Sequence, residues 1–111
     1  MYTENTTIGF IGLGVMGEPI CRNMATRSGR QVVAFDLRRE PLERLAASSV
    51  TGAADIADLV NRADTIVLSL PGGDQLQEVV QGAGGILEHV RAGMTVVNTT
   101  TAPAPPPWKA L

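Results

Sequence analysis

The chain is predicted to adopt a doubly wound α/β fold, and three observations predict it. Short runs rich in Val, Ile and Phe alternate with stretches of helical periodicity along most of the length. A glycine-rich segment follows the first of these runs directly, before a helix. Gly, Pro and Ser punctuate the joins between the remaining segments. Strands that alternate with helices pair in parallel through right-handed crossovers. The expected arrangement is a parallel sheet of five strands in the order 3-2-1-4-5, ending before a sixth strand, with its ligand crevice at the C-terminal ends of strands one and four.

Each element has its own reason. Ile8-Gly9-Phe10-Ile11 is the first strand. Gly17, Ile20, Cys21 and Met24 then fall at i, i+3, i+4 and i+7, one face of a helix that Ser28-Gly29 ends. Pro19 is tolerated because it lies in the first turn, where a missing N–H costs little. Gln31-Val32-Val33-Ala34-Phe35 is the second strand, and Pro41 opens a second helix carrying Leu42, Leu45 and Ala46. Ser49-Val50-Thr51 is the third strand, and Ile56, Leu59 and Val60 mark a helix over 55–63. Thr65-Ile66-Val67-Leu68-Ser69-Leu70 is the fourth strand, stopped by Pro71-Gly72-Gly73. A helix over 74–81 follows, then a glycine-rich break, a helical turn through His89, and the fifth strand, Thr95-Val96-Val97-Asn98.

Bulk properties narrow the function classes. The chain has 111 residues, which fits one domain over 1–101 and a proline-rich tail over 102–111, expected to be disordered. A net charge of −2 gives no electrostatic case for nucleic acid or an anionic membrane as partner. The single cysteine, Cys21, excludes an internal disulfide and reads as a small core residue. No apolar stretch approaches a membrane span, and the polar N-terminus lacks signal-peptide character, so the cytoplasm is the expected compartment.

Chemistry concentrates in one motif. Gly12-Leu13-Gly14-Val15-Met16-Gly17 is a G-x-G-x-x-G segment between a strand and a helix. The first glycine makes the tight turn, the second admits a pyrophosphate close to the backbone, and the third lets helix and strand approach. The helix then aims free N–H groups and the positive end of its dipole at the phosphates. Asp36 ends the second strand at the spacing where an acid reaches the adenosine ribose hydroxyls of a dinucleotide. That acid favours NAD. Leu37 and Arg38 follow it, and Arg38 with Arg39 could pair with a 2′-phosphate, which keeps NADP as the alternative. His89 reads as a capping or solvated residue, and Asp74, Glu88 and the arginines from Arg38 to Arg44 as surface charges.

The run from Ile8 to Ile20 resembles the opening of the β-hydroxyacid dehydrogenases, the family of 3-hydroxyisobutyrate dehydrogenase and 6-phosphogluconate dehydrogenase. The resemblance continues through Asp64-Thr65-Ile66-Val67-Leu68-Ser69-Leu70-Pro71, Gly84-Gly85-Ile86-Leu87 and the segment from Gly93 to Thr101. It implies a Rossmann domain of a nicotinamide-dependent oxidoreductase acting on a small 3-hydroxy acid. It places Gly12, Leu13, Gly14, Met16 and Gly17 at the pyrophosphate and Leu70 and Pro71 at the nicotinamide ribose. Gln75 stands where the family has Asn or Asp near the cofactor, Thr101 near the nicotinamide, and Thr100 in place of a substrate-binding Ser. Asn98 replaces a family Asp. The family's catalytic lysine lies further downstream, and the only lysine here is Lys109, in no matching motif. The chain alone is therefore expected to bind NAD(P) without completing catalysis, with substrate held only alongside a helical second domain. An imine reductase-like first domain and a non-catalytic dinucleotide-binding module are the alternatives. Homo-association through an uncovered fifth strand is expected as well.

Overall fold

A computed structural model of the chain describes residues 7–99. Five strands, β1 (Ile8–Ile11), β2 (Val32–Phe35), β3 (Val50–Gly52), β4 (Thr65–Leu68) and β5 (Thr95–Asn98), alternate with four helices, α1 (Gly17–Arg27), α2 (Arg39–Ala46), α3 (Ile56–Arg62) and α4 (Gly73–Gln81). A 3-10 turn at Ile86–Glu88 precedes β5. The sheet runs β3-β2-β1-β4-β5 and every pairing is parallel. That is the predicted order. β1 is central, with Phe10 level with Ala34 on one side and Val67 on the other.

The strands are short and almost wholly apolar because helices cover both faces of the sheet, as parallel pairing requires. Alternate residues therefore feed two separate cores. Phe10, Val32, Ala34 and Val67 pack with Cys21 of α1 and Leu45 of α2. Ile11, Val33, Ile66 and Leu68 face the other way, onto Leu59 and Val60 of α3 and Leu76 of α4. Phe10, Leu45, Leu59 and Ile66 are fully buried, and each such side chain contributes about 1.5–3 kcal/mol through the water it leaves. Cys21 is buried as expected, which pushes its thiol pKa up to about 12 and leaves it unreactive. Gly9 has a role the pattern did not show. A Cβ there would stand 2.5 Å from Leu59 Cδ2 and 2.9 Å from Ala63 Cβ, so α3 lies directly on the central strand.

Several local expectations needed correction, among them the fourth strand, which ends at Leu68 and not at Leu70. The second helix begins at Arg39, two residues before Pro41, because Pro41 fits anywhere in the first turn. Ala46, assigned to the apolar face of that helix, is exposed at its last position, and Leu45 and Leu42 carry the packing instead. The tail over 102–111 and the candidates Thr100 and Thr101 lie outside the described residues. Among the described residues no helix is long and apolar enough to cross a membrane.

Candidate dinucleotide-binding site

The glycine-rich turn leaves β1 at the C-terminal edge of the sheet, between the ends of β2 and β4. Gly12 has φ +100°, a left-handed conformation, and a Cβ there would collide with the Ser69 carbonyl at the end of β4. Leu70 is packed against the same spot, with Cδ2 3.0 Å from where that Cβ would stand. A Cβ on Gly17 would collide with the Gly12 carbonyl, so the third glycine lets α1 start directly against the turn. Gly14 is different. Among the described residues no atom comes within 4 Å of where its Cβ would project, so its bare backbone faces open space.

The turn's hydrogen bonds show which groups are left for a ligand. Gly12 N–H donates to the Phe35 carbonyl (3.1 Å) and Glu18 N–H to the Gly14 carbonyl (3.0 Å). Leu13 is clamped at both ends. Its N–H donates to Asp36 Oδ2 (2.7 Å), and its carbonyl accepts from Arg38 Nη2 (2.9 Å). Its side chain is buried as well. Among the described residues, nothing accepts from the N–H groups of Gly14, Val15 or Met16. Three successive amides without an acceptor, just before an eleven-residue helix, could cradle an anion.

Asp36 anchors the other side of the crevice. Oδ1 accepts from Arg38 N–H (2.8 Å) and from Arg38 Nε (3.2 Å), while Oδ2 holds Leu13. Burial alone would raise this carboxyl's pKa, but the Arg38 and Leu13 amides and the Arg38 guanidinium outweigh it and hold the group below the usual carboxylate range. Asp36 is thus ionised and pointed at the loop. Arg38 remains 58% exposed, with donors left over. Around these polar groups stand three large apolar side chains in water: Val15 at 92%, Met16 at 70% and Leu37 at 94% exposure. Exposed apolar side chains next to free polar groups are a surface that could take a partly apolar ligand.

The sequence-predicted residues therefore converge in part. Gly12, Gly17 and Leu70 meet at the turn, Leu13, Asp36 and Arg38 are joined by hydrogen bonds, and Gly14, Met16 and Leu37 are exposed beside them in sequence, while Pro71 is exposed three residues beyond β4. Gln75 lies in the first turn of α4, its Oε1 3.4 Å from where a Gly72 Cβ would be. Sequence reasoning missed Glu18, which lies in the first turn of α1 and is held by Arg44 and Arg22. A shallow groove along α4 is lined by Asp74, Gln77, Glu78, Gln81 and Gly82, a set of acids and amides unsuited to an anion.

This geometry has close counterparts among known proteins. Residues 7–106 match the family described as the NAD binding domain of 6-phosphogluconate dehydrogenase. The chain belongs to that family. As a member of it, the chain is 32% identical to mitochondrial 3-hydroxyisobutyrate dehydrogenase of Rattus norvegicus over 98 residues, which cover 88% of this chain and 29% of the rat enzyme. It is 34% identical to 3-sulfolactaldehyde reductase of Escherichia coli, covering 85% of this chain and 31% of that one. The solved structure of Psf3 in complex with NADP+ and 2-OPP superposes with a TM-score of 0.79 at 30% identity, over 85% of this chain and 33% of Psf3. The chain thus spans about a third of the length of these relatives, and the match falls on a hydroxyacid dehydrogenase type of NAD-binding domain.

Proposed function

We propose that this domain seats a nicotinamide dinucleotide for hydride exchange with a small 3-hydroxy acid, NAD being preferred over NADP. The observation that carries the reading is the open cradle of Gly14, Val15 and Met16 amides above a loop locked by Asp36 and Arg38. In this reading Gly14, Val15 and Met16 offer their free amides to the pyrophosphate, Gly12 and Gly17 allow the close turn that presents them, and Leu13 fixes the loop's shape from within. Asp36 meets the adenosine ribose, Leu37 covers the adenine side, and Arg38 lies where a 2′-phosphate would come. Leu70, Pro71, Gln75 and Thr101 border the nicotinamide end, and Thr100 meets the substrate. A bound nicotinamide supplies the hydride acceptor or donor that no side chain can provide. What the chain itself supplies is binding, orientation and a fixed carboxylate.

The alcohol proton needs an acid or base within hydrogen-bond reach. Lys109, the only lysine, stands in no matching motif, so the chain by itself is proposed to bind without turning over. Support comes from its span of about a third of its relatives. Association of two copies along β5 and a cytoplasmic location belong to the same proposal, the latter tested by fractionating tagged chain. Fluorescence titration of the purified chain with NADH and NADPH tests the core of it. Saturable binding, tighter for NADH, is expected. A flat titration with both would overturn it, and turnover of any 3-hydroxy acid by the chain alone would overturn its catalytic incompleteness.

A further inference from the structure

One charged cluster beside the cradle has no place in the contacts proposed so far. Glu18 lies in the first turn of α1, immediately after the last motif glycine. Arg44 of α2 grips its carboxylate with two bonds, Nε to Oε2 (2.8 Å) and Nη2 to Oε1 (2.7 Å). Arg22, one turn along α1, donates from Nη2 to Oε2 (2.8 Å). The Glu18 side chain is only 13% exposed, although Arg44 is 56% exposed. The Arg44 bonds, with those of Arg22 and against a smaller effect of burial, draw the Glu18 pKa down to about 2, so it cannot shed its charge by taking up a proton near neutrality.

The placement poses an electrostatic conflict. An acid in the first turn suits the helix, because it faces the positive end of the dipole. The same end is where a diphosphate is to bind, and a bare carboxylate there repels it. With both arginines attached, the three side chains carry net positive charge. We propose that Arg44 and Arg22 are positioning residues for dinucleotide affinity: they draw the Glu18 carboxylate towards α2 and cancel its charge beside the phosphate cradle. The inference rests on the dinucleotide reading of that cradle. Glu40 also lies close enough to Arg44 to act on its charge, so the four side chains together are neutral and loss of Arg44 would leave them one net negative charge.

The signs of the charge effects make the test decisive. NADH is titrated at low salt against wild type, Arg44→Gln, Glu18→Gln and the double variant, with thermal unfolding as the check on folding. Arg44→Gln should raise Kd about fivefold, the scale of one screened charge acting on two phosphates. Glu18→Gln should lower Kd, and the double variant should return to within about twofold of wild type, because the charge changes cancel. Arg44→Lys should keep near-wild-type affinity, and all differences should shrink at 1 M salt, where the Debye length is only about 3 Å. A merely mechanical strap between the helices predicts otherwise: both single variants weaken binding and the double is no worse. That pattern overturns the inference, as does an unchanged Kd in Arg44→Gln. Failure of wild type to bind NADH at all would instead bring down the dinucleotide reading, and this inference with it.

Discussion

Gly12 and Gly14 stand two positions apart in one loop and are glycine for opposite reasons. Gly12 serves the fold: its φ of +100° and the Ser69 carbonyl leave no room for a methyl group. Gly14 has ample room in the protein itself, so its bare backbone serves whatever comes from outside. Alanine scanning should separate the two. Gly12→Ala should destabilise the chain by about 2–4 kcal/mol in urea unfolding, from a strained φ plus a backbone collision. Gly14→Ala should unfold like wild type yet weaken NADH by about tenfold or more, as its methyl enters the cradle. Equal stability losses in both would remove the distinction. The glycine spacing was legible in the sequence because the motif is local. The Asp36 clamp on Leu13 was half legible: the acid's position could be read, but not that its first partners are the loop's own amide and Arg38. Glu18 and Arg44 lie 26 residues apart and could be matched only once α1 and α2 had packed side by side.

At the scale of elements, the apolar runs declared the strands because both faces of a parallel sheet are covered, which leaves few polar positions to confuse the pattern. Element ends were less legible, since they depend on caps. α3 shows why. Asp55 Oδ1 accepts from Asp58 N–H (2.8 Å) at its start, a signal readable from the sequence. Its far end is closed by Arg91, from the segment before β5, whose Nη1 and Nη2 donate to the Val60 (2.8 Å) and Ala63 (2.7 Å) carbonyls. Nothing local to α3 announces that partner. Arg91→Ala should therefore cost about 1–2 kcal/mol, the low end for charged hydrogen bonds because the side chain is 44% exposed. Hydrogen exchange should show the loss concentrated in α3 and the approach to β5. Uniform loosening of the whole sheet would argue that Arg91 does not act as a cap.

Across the whole molecule the two edges of the sheet differ. β3 lies beside α2, and its Val50 is buried in the core that α1 and α2 cover. Among the described residues nothing pairs with the outer side of β5: all four of its residues are exposed, with Val96 at 44% and Val97 at 42%, and Leu87 (47%) and Val90 (42%) are exposed on the approach to it. Its strand holds no charge and no proline, the usual protections of a free edge. The order 3-2-1-4-5 made this edge foreseeable from the alternation of elements. The extent of its exposure was not foreseeable, because Thr-Val-Val-Asn reads the same in a covered strand. Edge-to-edge pairing of two copies would shield Val96 and Val97 of both chains together. Sedimentation of the purified chain should therefore show association that grows with concentration. Val97→Lys should abolish it, since two lysines would meet across the pairing. NADH binding should survive that change, as Val97 is level with Val67 in the sheet, away from the loop amides. A wild-type chain that stays monomeric across the same range would show that the β5 edge does not pair.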